Sequence, residues 1–276
     1  EKDENFYWLT LGQLKELHKI PNLVHLDCRS IIGSMPYSIP LGGNLINEGT
    51  GNNLMLDSLQ CLDSSAINSI TDLQNWFTKE KMRNIKHTSL VHLQKANSWS
   101  YDGVSIKHES GKFFDIIGVN VYAPEREVSS WSQPLIKCAD GGMIGLISQV
   151  QKGTMHFLIH SRFEAGLIDS VELAPTIQYT PQNYSDNQVE DKPLFTEYFN
   201  NESKYERLVD TFLSNEGGRF FKSENHHLVL KIPESQIILV PENYKWMTLS
   251  QLNYFGSMEL SLNMELRSLL FCITFV

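Results

Sequence analysis

The sequence predicts an α+β protein in which a mixed or antiparallel β-sheet is flanked by a few helices. Apolar and polar side chains alternate with a period of two over residues 155–164 and 172–180, which is typical of β-strands. Over residues 69–83 the apolar side chains instead recur at helical spacing, and glycine-containing turns separate the segments. Together these patterns predict one principal sheet with helices around it.

Taken in chain order, the same patterns assign an element to most of the chain. Helices are expected from Thr10 to about His18, from about Ser69 to Arg83, near Leu194, over Ser203–Leu213 and at Trp246. Strands are expected over Asn22–Ile32, 85–95, Phe113–Tyr122, 155–164, 172–180, Leu228–Ile232 and Leu269–Val276. A loop is expected over 37–66, and hairpin turns at Asp140–Gly142 and Lys152–Gly153.

The composition disfavours several classes of function. The chain has 276 residues, enough for one large or two modest domains, and its net charge of −9 argues against general nucleic-acid binding. Its four cysteines lie far apart without a Cys-x-x-Cys pair, which argues against zinc and a disulfide framework. Because no signal peptide is visible and residues 269–276 are too few to span a bilayer, we expect a cytoplasmic protein without a membrane partner.

The two ends of the chain repeat each other. The segment Trp8–Leu14 returns as Trp246–Leu252, and the offset of 238 residues (246 − 8) holds as far as the Arg-Ser pairs at 29–30 and 267–268. In each copy a threonine stands at the expected helix N-cap and a glutamine follows three residues later, as in a capping box. We therefore expect residues 1–36 to close a preceding module, 37–68 to be a linker and 69–276 to be a module, in a homodimer or a pseudo-dimer of modules.

Polar side chains that suit ligand binding share a face of each predicted strand. His156, His160, Arg162 and Glu164 point the same way, because alternate residues of a strand do so. The next strand carries a similar set on one face: Glu172, Thr176 and Gln178. Such a mixture suits a ligand with several hydroxyls and a charged group, although an ordinary half-solvated antiparallel sheet explains the alternation equally well.

Several separate motifs give the chain a resemblance to a known family. They are Trp131-Ser132-Gln133-Pro134, Gly141-Gly142, His156-Phe157-Leu158, 172–178, the turn 216–220 and the two Trp-x-Thr-Leu-x-Gln-Leu segments. With these motifs in this order, the chain resembles the NDP-hexose 2,3-dehydratases of deoxysugar biosynthesis, over residues 76–276 as one module and 5–35 as the tail of another. The resemblance implies a tandem repeat of modules with Nudix-like topology.

The resemblance also implies a reaction. The substrate would be a nucleoside-diphosphate 4-keto-6-deoxyhexose, usually with thymidine as the nucleoside. Its C4 ketone acidifies the proton on C3, a base removes that proton, and the C2 hydroxyl leaves with acid assistance. Rearrangement of the enol gives a 3,4-diketo-2,6-dideoxy sugar. Because the ketone is the electron sink, the implied enzyme needs no redox cofactor.

Under this resemblance the polar residues acquire expected roles. Glu164 and Glu172 are candidates for the catalytic carboxylate, and His156 or His160 for its partner acid. Diphosphate clamping by planar guanidinium groups is expected of three arginines: Arg126, Arg162 and Arg219. The other expected substrate contacts are Trp131, Gln133, Thr176, Gln178, Asn183, Tyr184 and Glu216.

Two other functions remain open on the sequence. In a duplicated protein, one module can bind the nucleotide sugar without converting it. A Nudix-type pyrophosphatase would need a helix dense in glutamates to hold magnesium, and Arg126-Glu127-Val128 lacks a following Glu-Glu pair. A metal site built from His156 and His160 is disfavoured, because four residues of strand span about 13 Å.

Overall fold

The computed structural model describes residues 6–17, 19–35, 54–83, 88–139, 141–184 and 192–274. Its α-helices are α1 (Leu11–Leu17), α2 (Leu26–Gly33), α3 (Leu54–Gln60), α4 (Ile70–Arg83), α5 (Thr196–Asn200), α6 (Leu249–Gly256) and α7 (Met264–Thr274). Its strands are β1 (Trp99–Tyr101), β2 (Ser105–His108), β3 (Phe114–Tyr122), β4 (Ser130–Cys138), β5 (Gly142–Gln151), β6 (Thr154–Phe163), β7 (Val171–Ala174), β8 (Ile177–Tyr179), β9 (Glu206–Ser214), β10 (Glu224–Ile232) and β11 (Tyr244–Met247). None of the described helices is long and apolar enough to cross a membrane.

Within the described residues the strands form two sheets. The larger sheet has the order β11-β6-β5-β10-β9, with β7 paired to β6 and β8 paired to β5. Strands β5 and β10 run parallel and the other pairs of this sheet run antiparallel, so the sheet is mixed. The smaller sheet is antiparallel, in the order β1-β2-β3-β4. The α+β class and the mixed sheet predicted from the sequence are confirmed.

Strand β6 runs through the core and is covered on both faces. Met155, Phe157 and Ile159 pack with the helical residues of one apolar cluster, while Leu158 packs in a second cluster with Phe195. The face predicted to line a cavity is therefore buried along most of the strand. Its polar groups become accessible only near the carboxyl end, from residue 160 onward.

Several predicted elements are confirmed. Helix α4 and strand β3 occupy the predicted ranges, and Trp76 is buried in the core. The hairpin at Lys152–Gly153 joins β5 to β6, and both turn residues have positive φ, as a two-residue type I′ turn requires. Helix α6 begins with a complete capping box between Thr248 and Gln251.

Two segments predicted as strands are helices. Residues Asn22–Ile32 contain α2, whose start is capped by His25, because its ring accepts a hydrogen bond from the Asp27 backbone N–H. The last segment, predicted as a strand over Leu269–Val276, belongs as far as it is described to α7. Helices α2 and α7 pack against each other, and a buried apolar run does not by its pattern distinguish helix from strand.

Other predictions fail for reasons of long-range pairing. The range Ser203–Leu213, predicted to be a helix, is largely β9, because it pairs antiparallel with β10. No hairpin lies at Gly141–Gly142, because β4 and β5 belong to different sheets; Asp140 is outside the described residues. Of the strand predicted over 85–95, the described part holds only a 3-10 turn over Leu93–Lys95.

The interval predicted to be a loop is only partly described, since residues 36–53 lie outside the described residues. The loop prediction is wrong for Leu54–Gln60, which form α3. Ser58 in this helix donates a hydrogen bond to the Met155 carbonyl (2.6 Å) and accepts one from the Leu249 backbone N–H (2.9 Å). Helix α3 is thereby tied to both β6 and α6.

The sequence repeat has structural counterparts at the same offset of 238 residues. Helix α1 begins with the pairing between Thr10 and Gln13 that α6 shows between Thr248 and Gln251. Asn22 and Leu260, 238 residues apart (260 − 22), both adopt the left-handed conformation, with φ of 63° and 53°. The counterpart arginines also make counterpart bonds: Arg29 donates to the Val24 carbonyl and Arg267 to the Leu262 carbonyl.

Candidate active site

A polar cluster lies at the carboxyl end of β6. Arg162 Nε donates a hydrogen bond to the Glu164 carboxylate (2.8 Å), and Arg162 Nη1 donates to the Gln178 carbonyl oxygen (3.1 Å). The Gln178 amide nitrogen also faces the Glu164 carboxylate at 3.5 Å. Arg162 and Glu164 are each about a third exposed, at 31% and 39%, so a ligand can reach them.

The strand registers bring two more predicted residues to this cluster. Glu172 lies directly opposite Arg162 in the β6–β7 pair, and His160 lies opposite Tyr244 in the β6–β11 pair. Directly opposed residues of an antiparallel pair have neighbouring side chains, so Glu172 adds a second carboxylate to this cluster. Burial raises the pKa of Glu172, and the negative charge of Glu164 adds to this rise, while Arg267 opposes it.

The start of α7 adds residues that the sequence patterns did not single out. Asn263 accepts a hydrogen bond from the Leu266 backbone N–H (2.9 Å) and so caps the helix, while its amide nitrogen donates to the Gln178 side chain (2.9 Å). Glu265 follows in the first turn, where its side chain keeps partial solvent exposure. The dense protein surroundings of its carboxyl group, with a smaller effect from the charge of Glu164, raise the pKa of Glu265 to about 7.

His160 is held as a neutral ring beside this cluster. Its ring stacks on that of Tyr244 with centroids 4.4 Å apart, and its Nε2 accepts a hydrogen bond from the Asn243 amide (3.0 Å). Burial and the nearby charge of Arg162 lower the pKa of His160 to about 4. Burial also raises the pKa of Tyr244 to about 12, so its hydroxyl stays protonated, and it donates to the Thr176 carbonyl (3.2 Å).

Two predicted site residues lie in the core instead. His156 is fully buried, its Nε2 accepts the Ile67 backbone N–H (3.1 Å), and its Nδ1 lies 2.9 Å from the Thr154 carbonyl oxygen. Thr176 is equally buried, and its hydroxyl bridges the Ile147 N–H of β5 and the Leu158 carbonyl of β6. In these positions His156 ties the segment before α4 to β6, and Thr176 links β5 to β6.

A second group of predicted residues lies on the smaller sheet. Trp131 Nε1 donates to the Gln133 side chain (2.7 Å), and the Gln133 amide donates to the Gly218 carbonyl (3.0 Å). The guanidinium carbon of Arg126 lies 5.8 Å from the Trp131 ring centroid. Trp131 is seven residues from the end of β4, about 23 Å of extended strand. These residues therefore form a second polar group, on the smaller sheet.

Arg219 and Glu216 also belong to this second group. Arg219 Nε donates to the Glu216 carboxylate (2.7 Å) within the turn that follows β9. The same turn is attached to β4, because the backbone N–H of Ile136 donates to the Arg219 carbonyl (2.8 Å). The turn thus places the ion pair of Glu216 and Arg219 next to Gln133, whose amide donates to the Gly218 carbonyl.

Asn183 and Tyr184 lie where the two sheets meet. The Asn183 side-chain oxygen accepts the Phe113 backbone N–H (2.9 Å) at the start of β3. The Tyr184 ring meets that of Tyr179, the last residue of β8, edge-on with centroids 5.8 Å apart. This segment therefore connects the strand that carries Gln178 with the smaller sheet.

Similarity to known proteins agrees with this arrangement. The family model described as NDP-hexose 2,3-dehydratase matches residues 70–273. The chain belongs to this family.

Three curated relatives carry the name dTDP-4-dehydro-6-deoxy-alpha-D-glucopyranose 2,3-dehydratase. The protein of Streptomyces violaceoruber is 34% identical over 98% of this chain and 58% of its own length. That of Saccharopolyspora spinosa is 33% identical over 96% of this chain and 54% of its own length. That of Amycolatopsis orientalis is 31% identical over 98% of this chain and 52% of its own length. The chain thus spans little more than half the length of these relatives.

The part that matches the NDP-hexose 2,3-dehydratase family contains both polar groups and the start of α7. Asn263 and Glu265 escaped the sequence interpretation because the last segment was taken as a strand. Recognition of Asn263 as an N-cap before an apolar helical run would have placed Glu265 in a first helical turn. Among the described residues no group of three or more His, Cys, Asp or Glu side chains is arranged to hold a metal ion.

Proposed function

We propose that the protein removes water across C2 and C3 of a nucleoside-diphosphate 4-keto-6-deoxyhexose, with thymidine as the nucleoside. Membership of the family and the names of the three relatives support this substrate. The observation that carries the proposal is the accessible polar cluster at the end of β6, in which Arg162 is hydrogen-bonded to Glu164 and lies opposite Glu172 in the strand register. An elimination next to a ketone needs a base and a group that stabilises the enolate, and carboxylates beside a cation supply both.

The proposed chemistry has three parts. A carboxylate removes the C3 proton, which the C4 ketone acidifies, and the electron pair moves into the enolate. The guanidinium of Arg162 stabilises the negative charge that develops on the C4 oxygen. The enolate then expels the C2 hydroxyl, which leaves as water after protonation, and the enol rearranges to the diketone. The substrate's own ketone accepts the electrons throughout.

The substrate contacts are proposed separately for the two polar groups. Arg162 and Gln178 contact the sugar ring at the cluster, whereas Asn183 and Tyr184 lie beside it at the junction of the sheets. The smaller sheet offers Arg126 beside the Trp131 ring and Arg219 for phosphate or base recognition. Because these side chains belong to the smaller sheet and to the segments attached to it, their part in binding is tested separately from that of the cluster.

The direct test is incubation with thymidine-diphosphate 4-keto-6-deoxyglucose without added nicotinamide. The expected product has lost one water, and its adjacent carbonyls condense with o-phenylenediamine to a quinoxaline that mass spectrometry detects. An unchanged substrate that still raises the melting temperature would support the binding-only module instead. Release of thymidine monophosphate would overturn both and support the pyrophosphatase.

The variants Glu164→Gln and Glu172→Gln test the two carboxylates of the cluster in the same assay. Their charge-matched control is Glu206→Gln, which changes a carboxylate in an ion pair on β9.

We also propose that the chain contains parts of two related modules, with residues 1–36 closing the first and 69–276 forming the second. The counterpart capping boxes, φ angles and arginine bonds support this division. The exposed apolar segment Phe6–Leu9 supports it too, because its counterpart Tyr244–Met247 is the buried strand β11. In the proposed pseudo-dimer, Phe6–Leu9 pairs with the strand of the first module that corresponds to β6.

The finer features implied by the family resemblance remain part of this proposal. They are the Nudix-like topology of each module, the homodimer or pseudo-dimer, and the cytoplasmic location. The described cysteines are free, at residues 28, 61, 138 and 272, and support a reducing compartment. Cross-linking of the protein extended by its relatives' additional length, followed by mass spectrometry of the linked peptides, tests whether Tyr7 lies beside the first module. Links only between separate chains would contradict the pseudo-dimer.

A further inference from the structure

Two carboxylates of the polar cluster have opposite surroundings. Glu164 receives a hydrogen bond directly from Arg162 and lies 3.5 Å from the Gln178 amide nitrogen. Arg162 acts on Glu265 through its charge at longer range, while the negative charges of Glu164 and Glu172 oppose ionisation of Glu265. Glu164 is therefore held by direct hydrogen bonding, whereas burial and the neighbouring negative charges raise the pKa of Glu265. Carboxylates that differ in this way commonly divide the electrostatic and proton-transfer roles of a site.

The position of Glu265 gives it access to a bound sugar. It stands in the first turn of α7, and the preceding Asn263 fixes this turn to the cluster through its bond to Gln178 (2.9 Å). The side chain keeps partial exposure, and its carboxyl group lies close enough to Arg162, Glu164 and Glu172 for their charges to act on it. The Asn263 cap thus places the first turn of α7, and with it Glu265, beside the cluster.

The stereochemistry of the proposed substrate sets what one group can do. In a gluco-configured ring the C3 hydrogen and the C2 hydroxyl lie on the same face. A single carboxyl group on that face can reach both of them, one after the other. A separate acid is then not required, and the neutral, Tyr244-stacked ring of His160 is free to serve in positioning.

We propose that Glu265 is the catalytic residue that takes the C3 proton and returns it to the departing C2 hydroxyl. This inference rests on the proposed dehydratase function. In the first step the Glu265 carboxylate forms an O–H bond as the C3–H bond breaks, and the electron pair enters the enolate. In the second step the enolate electrons form the C2–C3 double bond and the C2–O bond breaks. The Glu265 proton passes to the leaving oxygen, so that water departs and the carboxylate is restored.

The protonation behaviour of Glu265 fits this cycle. Its pKa of about 7 means that the carboxylate and the acid are both well populated near neutral pH. A general base with a pKa near the working pH combines sufficient basicity with sufficient deprotonated fraction. Arg162 donates a hydrogen bond to Glu164, so Glu164 has the complementary role of orienting the guanidinium.

The test compares Glu265→Gln, Glu265→Asp and the control Glu259→Gln in the full chain. Glu259 is exposed and lies before α7, so its substitution changes the charge equally without touching the cluster. For Glu265→Gln we expect kcat to fall on the order of 10³-fold with KM within a few-fold, and for Glu265→Asp an intermediate loss. The wild-type kcat should rise with pH through about 7, because the base must be ionised, and this rise should be absent in Glu265→Gln.

A second measurement does not depend on turnover. Carbon-13 NMR of protein labelled at the glutamate carboxyl carbons should show one resonance that titrates near pH 7, that is absent in Glu265→Gln and that shifts on addition of thymidine diphosphate-sugar. Retention of kcat in Glu265→Gln, or a titration of Glu265 below pH 5, would overturn the inference. Absence of dehydrated product from wild type, with the NMR titration as expected, would instead count against the proposed function.

Discussion

Arg162 donates a hydrogen bond to Glu164 over 2.8 Å and lies opposite Glu172 across the β6–β7 pair. One guanidinium group therefore pairs directly with one carboxylate and lies opposite a second in the strand register, at the end of a buried strand. The arrangement is accessible to solvent, in contrast to the fully buried residues earlier in β6. We therefore expect a change to this ion pair to lower the catalytic rate more than it lowers the free energy of unfolding.

Replacement of Arg162 tests whether the Arg162–Glu164 pair contributes more to catalysis than to stability. Because both partners are about a third exposed, their ion pair stabilises the fold by about 0–1 kcal/mol, and we expect Arg162→Lys to change the unfolding free energy within that range. Lysine keeps the charge but not the forked donors, so kcat/KM should fall on the order of 10²-fold. Urea unfolding and product formation measure the two effects. Arg207→Lys, in a comparably exposed pair with Asp210, should leave kcat/KM unchanged.

The protonation of Glu265 predicts a pH-dependent stability. Its folded-state pKa is about 7, raised from an ordinary value of 4.5. Between these values the unfolded chain has lost the proton that the folded protein retains, so the unfolding free energy declines as pH rises through this window. Glu265→Gln removes the titration and should stabilise the protein at pH 8 on the order of 1–3 kcal/mol, with no gain at pH 4. Thermal unfolding at both pH values measures this difference, and an equal gain at pH 4 would contradict it.

The close packing of α2 on α7 predicts that Gly33 tolerates no side chain. A methyl group there would overlap the Arg267 carbonyl oxygen and lie 2.9 Å from the Phe271 backbone nitrogen. Both obstacles are backbone atoms, so Gly33→Ala should cost about 1–3 kcal/mol of unfolding free energy. Gly12→Ala in α1 is the control, because its new methyl group meets only the Thr10 hydroxyl at 4.0 Å. That control should be neutral or slightly stabilising.

The paired tryptophans test the proposed module arrangement. Trp246 is 7% exposed, so Trp246→Ala should cost about 3–5 kcal/mol. Trp8, its counterpart, is 102% exposed, and Trp8→Ala in the present chain should change stability by less than about 0.5 kcal/mol. In a protein extended to the length of the relatives, Trp8→Ala should become as costly as Trp246→Ala. Equal small effects of Trp8→Ala in both proteins would argue against pairing of Phe6–Leu9 with a first module.

The sequence was most informative where one local signal decides the structure. The Lys152–Gly153 turn and the Thr248 capping box follow from backbone conformations and bonds between residues that are close in the chain. The sequence patterns failed where partners that are distant in the chain determine the structure. The strand conformation of β9 depends on its pairing with β10, and the apolar run of α7 is buried against α2. Alternation on β6 correctly grouped Arg162 with Glu164 but could not show that His156 lies inside the core.

The same limit applies to the candidate site. Glu265 comes to the cluster through the α7 cap and not through the strand pattern, so no periodicity in residues 155–180 could indicate it. Its sequence position beside Asn263 becomes informative only once the final segment is known to be helical. The charges that surround Glu265 and the start of α7 both depend on contacts between distant parts of the chain, which the sequence pattern does not show.

Gly33 and Phe271 occupy corresponding places in α2 and α7, since 271 − 33 equals the repeat offset of 238. Under the proposed duplication the two helices began alike, and around a two-fold axis like helices present the same residues to each other. A side chain at Gly33 would overlap backbone atoms of α7, because even a methyl group there would overlap the Arg267 carbonyl oxygen. The glycine of α2 admits the α7 backbone at Arg267 and Phe271, so the two helices are unlike at this contact. Under the proposed duplication, the closing segments of the two modules therefore no longer substitute for each other here.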